Sequence, residues 1–108
     1  MKKLLTTALT FICISTSAIA ADKEYLIQIK DHKFQPDVVE IAAGEKFILV
    51  IENLDKTLEE FESDDLKKEK LVHAGKKITI PVNALKVGEY KFYGDFHQKT
   101  AQGKVIVK

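Results

Sequence analysis

Apolar positions along this chain recur at every second residue over most of its length. In "EYLIQIK", Tyr25, Ile27 and Ile29 share one face while Gln28 and Lys30 share the other, the alternation of a half-buried strand. "VVEI" is a short strand of the same kind, and a turn at Ala43-Gly44 follows it. In "FILVIEN", Phe47, Leu49 and Ile51 face one way and Ile48 and Val50 the other, which predicts a strand buried on both sides. "EEFES", "KKITIPVN", "EYKFY" and "GKVIVK" continue the series. Pro36 breaks the pattern in "DHKFQPD", and Pro81 predicts a sheet edge or strand end because proline cannot donate to a ladder. Only "DDLKKEKL" reads as a helix or turn, at most about two turns long. About seven short strands with Gly and Pro punctuation predict an all-β chain folded as an antiparallel β-sandwich.

The first 20 residues do not alternate. Lys2 and Lys3 form a basic start, Leu4 to Ile14 is mostly apolar, and Ala18-Ile19-Ala20 offers small residues where a signal peptidase needs them. A membrane span needs roughly 20 predominantly apolar residues, and Thr6, Thr7, Thr10, Ser15, Thr16 and Ser17 interrupt this one. The expected organisation is therefore a cleaved export signal, residues 1–20, and one domain, residues 21–108, released to the periplasm with no membrane insertion. Cleavage removes Cys13 and Met1, the only cysteine and methionine. The exported chain then has no thiolate or thioether, which excludes a trigonal His₂Cys copper site with an axial Met. It also carries 15 basic against 16 acidic side chains, so charge gives no reason to expect a nucleic-acid partner. No G-x-S-x-G, phosphate-cradling glycine loop or Ser–His arrangement supports hydrolytic or transfer chemistry.

What remains is a set of metal-ligand types. His97 falls in the connection between the last two strands, where it is unlike a core histidine, and Asp95 precedes it closely enough to converge on one ion. Glu59, Glu60 and Glu62 crowd one segment; with Phe61 in the core, Glu60 and Glu62 share the opposite face. Such carboxylates repel one another unless a cation offsets them, although charges guarding an edge strand give the same pattern. His32 lies at a strand-to-turn position that could reach either end of a sandwich, whereas His73 beside Ala74-Gly75 reads as turn decoration. Phe34, Tyr90, Phe92 and Tyr93 read as packing.

"FQPDVVEIAAGEKFILVIENLD" and "LKVGEYKFYGDFHQKTAQGKVIV" resemble the opening half and closing hairpin of cupredoxins. More narrowly, "EEFES", "EKLV", "FYGDFH" and "TAQG" resemble small periplasmic cupredoxin-like proteins of bacterial iron-uptake systems. The resemblance implies a Greek-key sandwich, copper or iron as the bound metal, a part in ferrous-iron oxidation or uptake, and an iron permease or periplasmic iron-binding protein as partner. In the cupredoxin closing motif, aromatic-x-Cys-x-x-His, the histidine is His97 but the cysteine is Gly94. The axial methionine falls near Ala101 or Gln102, and the first histidine lands on Glu59 or Glu60. The resemblance favours Glu60, giving His97, Asp95 and Glu60 as ligands, with Glu62 and His32 as further ones. Oxygen donors with one imidazole suit Cu(II), Fe, Mn or Zn better than Cu(I). A metal-free adaptor that docks a transport partner is the alternative. Independent electron transfer ranks last without a thiolate.

Overall fold

The computed structural model describes residues 7–14 and 21–108. The basic start and the Ala18–Ala20 motif of the expected signal lie outside the described residues; residues 7–14 form no helix or strand. No helix among the described residues is long and apolar enough to cross a membrane.

Nine strands follow: β1 (Lys23–Lys30), β2 (Lys33–Gln35), β3 (Val38–Ile41), β4 (Phe47–Asn53), β5 (Glu59–Ser63), β6 (Lys68–Val72), β7 (Lys77–Val82), β8 (Gly88–Gly94) and β9 (Gln102–Val107), with one 3₁₀ turn at Asp95–His97. They form two sheets, ordered β2-β1-β4-β7 and β3-β9-β8-β5-β6. Most pairings are antiparallel, but β1 with β4 and β3 with β9 are parallel. The chain crosses to the second sheet as β3 and returns as β4, so β4 enters beside β1 in the same direction. Pro81 lies on β7, an edge strand as expected.

Two strands were not legible in the alternation. β2 pairs with the end of β1 through a tight reversal, in which Asp31 and His32 take φ values of 52° and 59°. β6 occupies the segment read as a helix or turn. There Ser63 Oγ accepts from Leu66 N (3.0 Å), Asp65 Oδ2 accepts from Lys91 N (2.8 Å) and Lys67 turns back with φ 56°. The Ser63 bond closes a hairpin and competes with helix formation, and the Asp65 bond ties that turn to β8; Lys68–Val72 then pairs antiparallel with β5.

Inward residues of both sheets make one core, with Ile27, Ile29, Leu49, Ile51, Phe61, Phe92, Val105 and Val107 essentially inaccessible. The far side of β4 is only half buried, because its sheet is covered on one face alone. Under the end of the sandwich that carries the 3₁₀ turn, Phe34, Phe61 and Phe92 pack as a trio. Phe34 meets Phe92 edge-on at 5.0 Å, and Phe61 stacks on Phe92 at 5.2 Å. Each buried ring contributes on the order of 2–3 kcal/mol, enough to hold the strand ends above it in register.

Candidate functional site

Phe61 fixes the parity of β5. Because it points into the core, Glu59 and Ser63 point inward too, and Glu60 and Glu62 point out. Glu59 is therefore a buried carboxylate, 1% exposed. Its Oε2 lies 2.6 Å from His97 Nδ1. Its Oε1 accepts from Phe96 N at 2.9 Å and from Glu60 N at 3.0 Å. Two backbone N–H groups and one imidazole nitrogen thus meet two oxygens in a place closed to water.

Gly94 makes room for this carboxylate. A Cβ at Gly94 would stand 2.6 Å from Glu59 Cδ and 2.8 Å from Ala101 Cβ, closer than side chains approach. Its φ of −93° suits any residue, so space, and not backbone freedom, dictates glycine. The connection closes on itself: Gly94 N donates to Ala101 O (2.9 Å), and Thr100 N and Ala101 N donate to His97 O (3.1 and 2.8 Å).

The segment that delivers Glu59 is held by Asn53 at the end of β4. Its Nδ2 donates to Thr57 O (2.8 Å) and Val72 O (3.0 Å), and its Oδ1 accepts from Asp55 N (3.0 Å). Asp55 in turn accepts from the backbone of Asp31 (2.8 Å) and His32 (3.0 Å). The His32 ring is thereby laid flat on the His97 ring, centroids 3.5 Å apart and planes 10° from parallel. His32 Nε2 is 3.3 Å from Thr57 Oγ1.

On the outer face lies a second group. Ligand oxygens of Glu60, Glu62 and Asp95 all come within 4.8 Å of one another, each side chain half buried. Partial desolvation, then the charges of Glu69, Asp95 and Glu62, push the Glu60 carboxyl above its ordinary range. Tyr93, directly across from Glu62, has its phenol pushed up by desolvation and by Asp64, Glu62 and Asp95.

The five residues singled out in the sequence are thus divided between two places. Asp95, Glu60 and Glu62 meet on the outer face, and His97 and His32 meet at the end of the sandwich. His97 faces Glu59, not Glu60, because neighbouring residues of a strand point to opposite faces. Glu59 was one of two residues landing in the first-ligand position, and the parity set by Phe61 was the signal that distinguished them. The stacking of His32 on His97 had no sequence signal, since it depends on two left-handed residues and an aspartate cap. His73 is exposed in its turn.

Glu59, Gly94, His97 and Ala101 therefore converge at one end of the sandwich, at or next to the positions that the sequence resemblance matches to a cupredoxin's first histidine, thiolate, second histidine and axial methionine. The model of the cupredoxin-like domain matches residues 3–107. The chain belongs to the cupredoxin-like domain family. An uncharacterized protein of Rickettsia prowazekii (strain Madrid E) is 52% identical over 84 residues, covering 78% of this chain and 67% of that one. Among solved structures, auracyanin A, a "blue" copper protein of Chloroflexus aurantiacus, aligns with TM-score 0.70 at 13% identity, covering 82% of this chain and all of that one. The metal-binding domain of the Streptococcus pneumoniae Cu(I)-exporting P-type ATPase CopA gives 0.67 at 13% identity over 79% and 84% of the two chains. A reduced amicyanin variant gives 0.63 at 16% over 83% and 87%.

The residues of this cupredoxin-like protein do not fit a thiolate copper centre. Glycine stands in the thiolate position, inaccessible Ala101 stands near that of the thioether, and the Glu59 carboxylate takes the intervening space. His97 Nδ1 is already engaged by Glu59.

Proposed function

We propose that this cupredoxin-like protein is exported to the periplasm and binds a hard cation on the outer face of β5, through Glu60, Glu62 and Asp95. The observation that carries the reading is the mutual approach of these three carboxylates within 4.8 Å, next to a pole whose thiolate position is filled. An all-oxygen set favours hard ions and disfavours Cu(I), so the cargo of this reading is Cu(II) or iron. Carboxylates hold Fe(III) more tightly than Fe(II). Bound Fe(II) is then more easily oxidised by an external acceptor such as dioxygen, which suits an accessory role in ferrous-iron oxidation or uptake. An iron permease or a periplasmic iron-binding protein would be the partner.

Calorimetric titration of Cu(II), and of Fe(II) under anaerobic conditions, tests the reading. Glu62→Gln and Asp95→Asn are each expected to weaken binding by at least about tenfold, while Glu24→Gln, on the other sheet, leaves it unchanged. Added Cu(II) is expected to give no intense blue charge-transfer band. Equal binding by all variants would remove the site.

One observation favours a second reading, a metal-free adaptor. Among the described residues every buried side-chain polar atom has a hydrogen-bond partner, so the interior of the pole needs no ion, and Phe96 and Leu58 are exposed. Absence of any saturable metal binding would make this the better account.

A further inference from the structure

Glu59 is the only acidic side chain in the core among the described residues, and the cation site proposed above makes no use of it. A buried carboxylate is costly unless it is paired and hydrogen-bonded. Its partners show what it holds. Glu60 N belongs to its own strand, but Phe96 N and His97 Nδ1 both belong to the 3₁₀ turn, far along the chain.

That turn lacks a cap of its own. Its first flanking residue is Gly94, with no side-chain cap bond, and the early N–H groups of any helical turn need an acceptor from elsewhere. Glu59 Oε1 supplies it to Phe96 N at 2.9 Å from across the sheet. The same glycine that leaves the turn uncapped leaves the space through which Glu59 reaches it. Asp95, the residue immediately before Phe96, projects from this turn to the outer face, where it meets Glu60 and Glu62.

We infer that Glu59 is a positioning residue for the outer cation site: it caps the 3₁₀ turn in place of a local side chain and so sets Asp95 beside Glu60 and Glu62. The inference rests on the cation-site reading of those three carboxylates. It also assigns a role to His97. Glu59 Oε1 accepts two backbone N–H groups, and on this inference Nδ1 of His97 carries the proton that faces Oε2. His97 is then a second brace between the turn and β5, held flat by the His32 ring, and not a ligand through Nδ1. The space beside Gly94 is taken by an internal clamp, and the proposed cation site begins one residue along β5, on the opposite face.

The test combines the protonation of His97 with Mn(II) as a hard-cation probe. Long-range ¹H–¹⁵N spectra of the wild-type protein are expected to show the His97 proton at Nδ1, a readout that needs no variant. Glu59→Gln, with one carbonyl oxygen for donors on both sides, is expected to lose that preference. It is also expected to weaken Mn(II) binding, followed by the electron paramagnetic resonance signal of the free ion, by about tenfold. Glu62→Gln is expected to weaken Mn(II) binding while leaving His97 as in wild type. A wild-type His97 with no proton on Nδ1 overturns the inference. So does a Glu59→Gln protein that binds Mn(II) as tightly as wild type while Glu62→Gln does not, and that outcome leaves the cation site standing. If neither substitution weakens binding, the cation site itself is wrong and the inference falls with it.

Discussion

Glu59 and Glu60 are adjacent in sequence, chemically identical, and placed in opposite electrostatic circumstances by the pleat of β5. Glu59 is 1% exposed yet meets His97 Nδ1 and two backbone N–H groups at 2.6–3.0 Å. Glu60 is far better hydrated, but Glu69, Asp95 and Glu62 stand around it and push its carboxyl up. Burial alone therefore does not tell which carboxylate is under strain. The inner one is offset by donors that the fold supplies, while the outer one waits for a charge that the fold does not supply. A structural carboxylate and one proposed to bind a cation are separated by a single residue of register.

The comparison breaks most visibly if the inner carboxylate is removed. Glu59→Ala leaves Phe96 N without its acceptor and His97 Nδ1 facing a void, and loses the tie between β5 and the 3₁₀ turn. The expected cost is about 3 kcal/mol, read from urea unfolding. A loss below about 1 kcal/mol, no more than one ordinary hydrogen bond contributes, would mean that water replaces the carboxylate and that Glu59 is not a clamp.

Gly94→Ala attacks the same clamp from the other side. The new methyl group would overlap Glu59 Cδ and Ala101 Cβ, atoms held by the core and by the hydrogen bonds of the turn. Overpacking of this kind costs about 2 kcal/mol, somewhat less than removing the carboxylate, because the chain can shift by a few tenths of an ångström. Combining the substitution with Glu59→Ala should relieve part of that cost, since the added methyl then enters the vacated space. Strict additivity of the two in a double-mutant cycle would show that the residues do not compete for one space.

Period-two alternation made the sandwich legible because a strand buried on one face must repeat it, as "EYLIQIK" and "KKITIPVN" do. It missed β2 and β6, since both are short and follow reversals made by side-chain bonds of Asp55, Ser63 and Asp65. The bonds of Asp55 and Asp65 join residues far apart in sequence, and no local pattern records them. The parallel pairings of β1 with β4 and β3 with β9 are likewise properties of the path between sheets. At the site, Gly94 announced the missing thiolate. Glu59 was within reach of the same reasoning, because Phe61 set its direction. The pairing of Asp95 with Glu60 and Glu62, away from His97, was not, because it depends on how the 3₁₀ turn rolls one side chain out and the other in.

The smallest expected effect sharpens the comparison from the outer side, and its sign is opposite to the others. The Glu60 carboxyl titrates above its ordinary value of 4.5, so between that value and its folded one the folded protein binds a proton more readily than the unfolded chain. Lowering the pH through this window stabilises the fold, and raising it removes that contribution, leaving an ionised cluster that costs stability at neutral pH. In chelator-treated protein Glu60→Gln should therefore have a slightly higher Tm than wild type at pH 7, and the difference should shrink as the pH approaches 4.5. Mn(II) should close the same gap from the other direction, raising the Tm of wild type more than that of the variant, because a bound cation stabilises only the state that holds it. A Glu60→Gln protein no more stable than wild type at neutral pH without metal would show that solvent already screens these carboxylates. The repulsion that gives them a reason to bind a cation would then be absent.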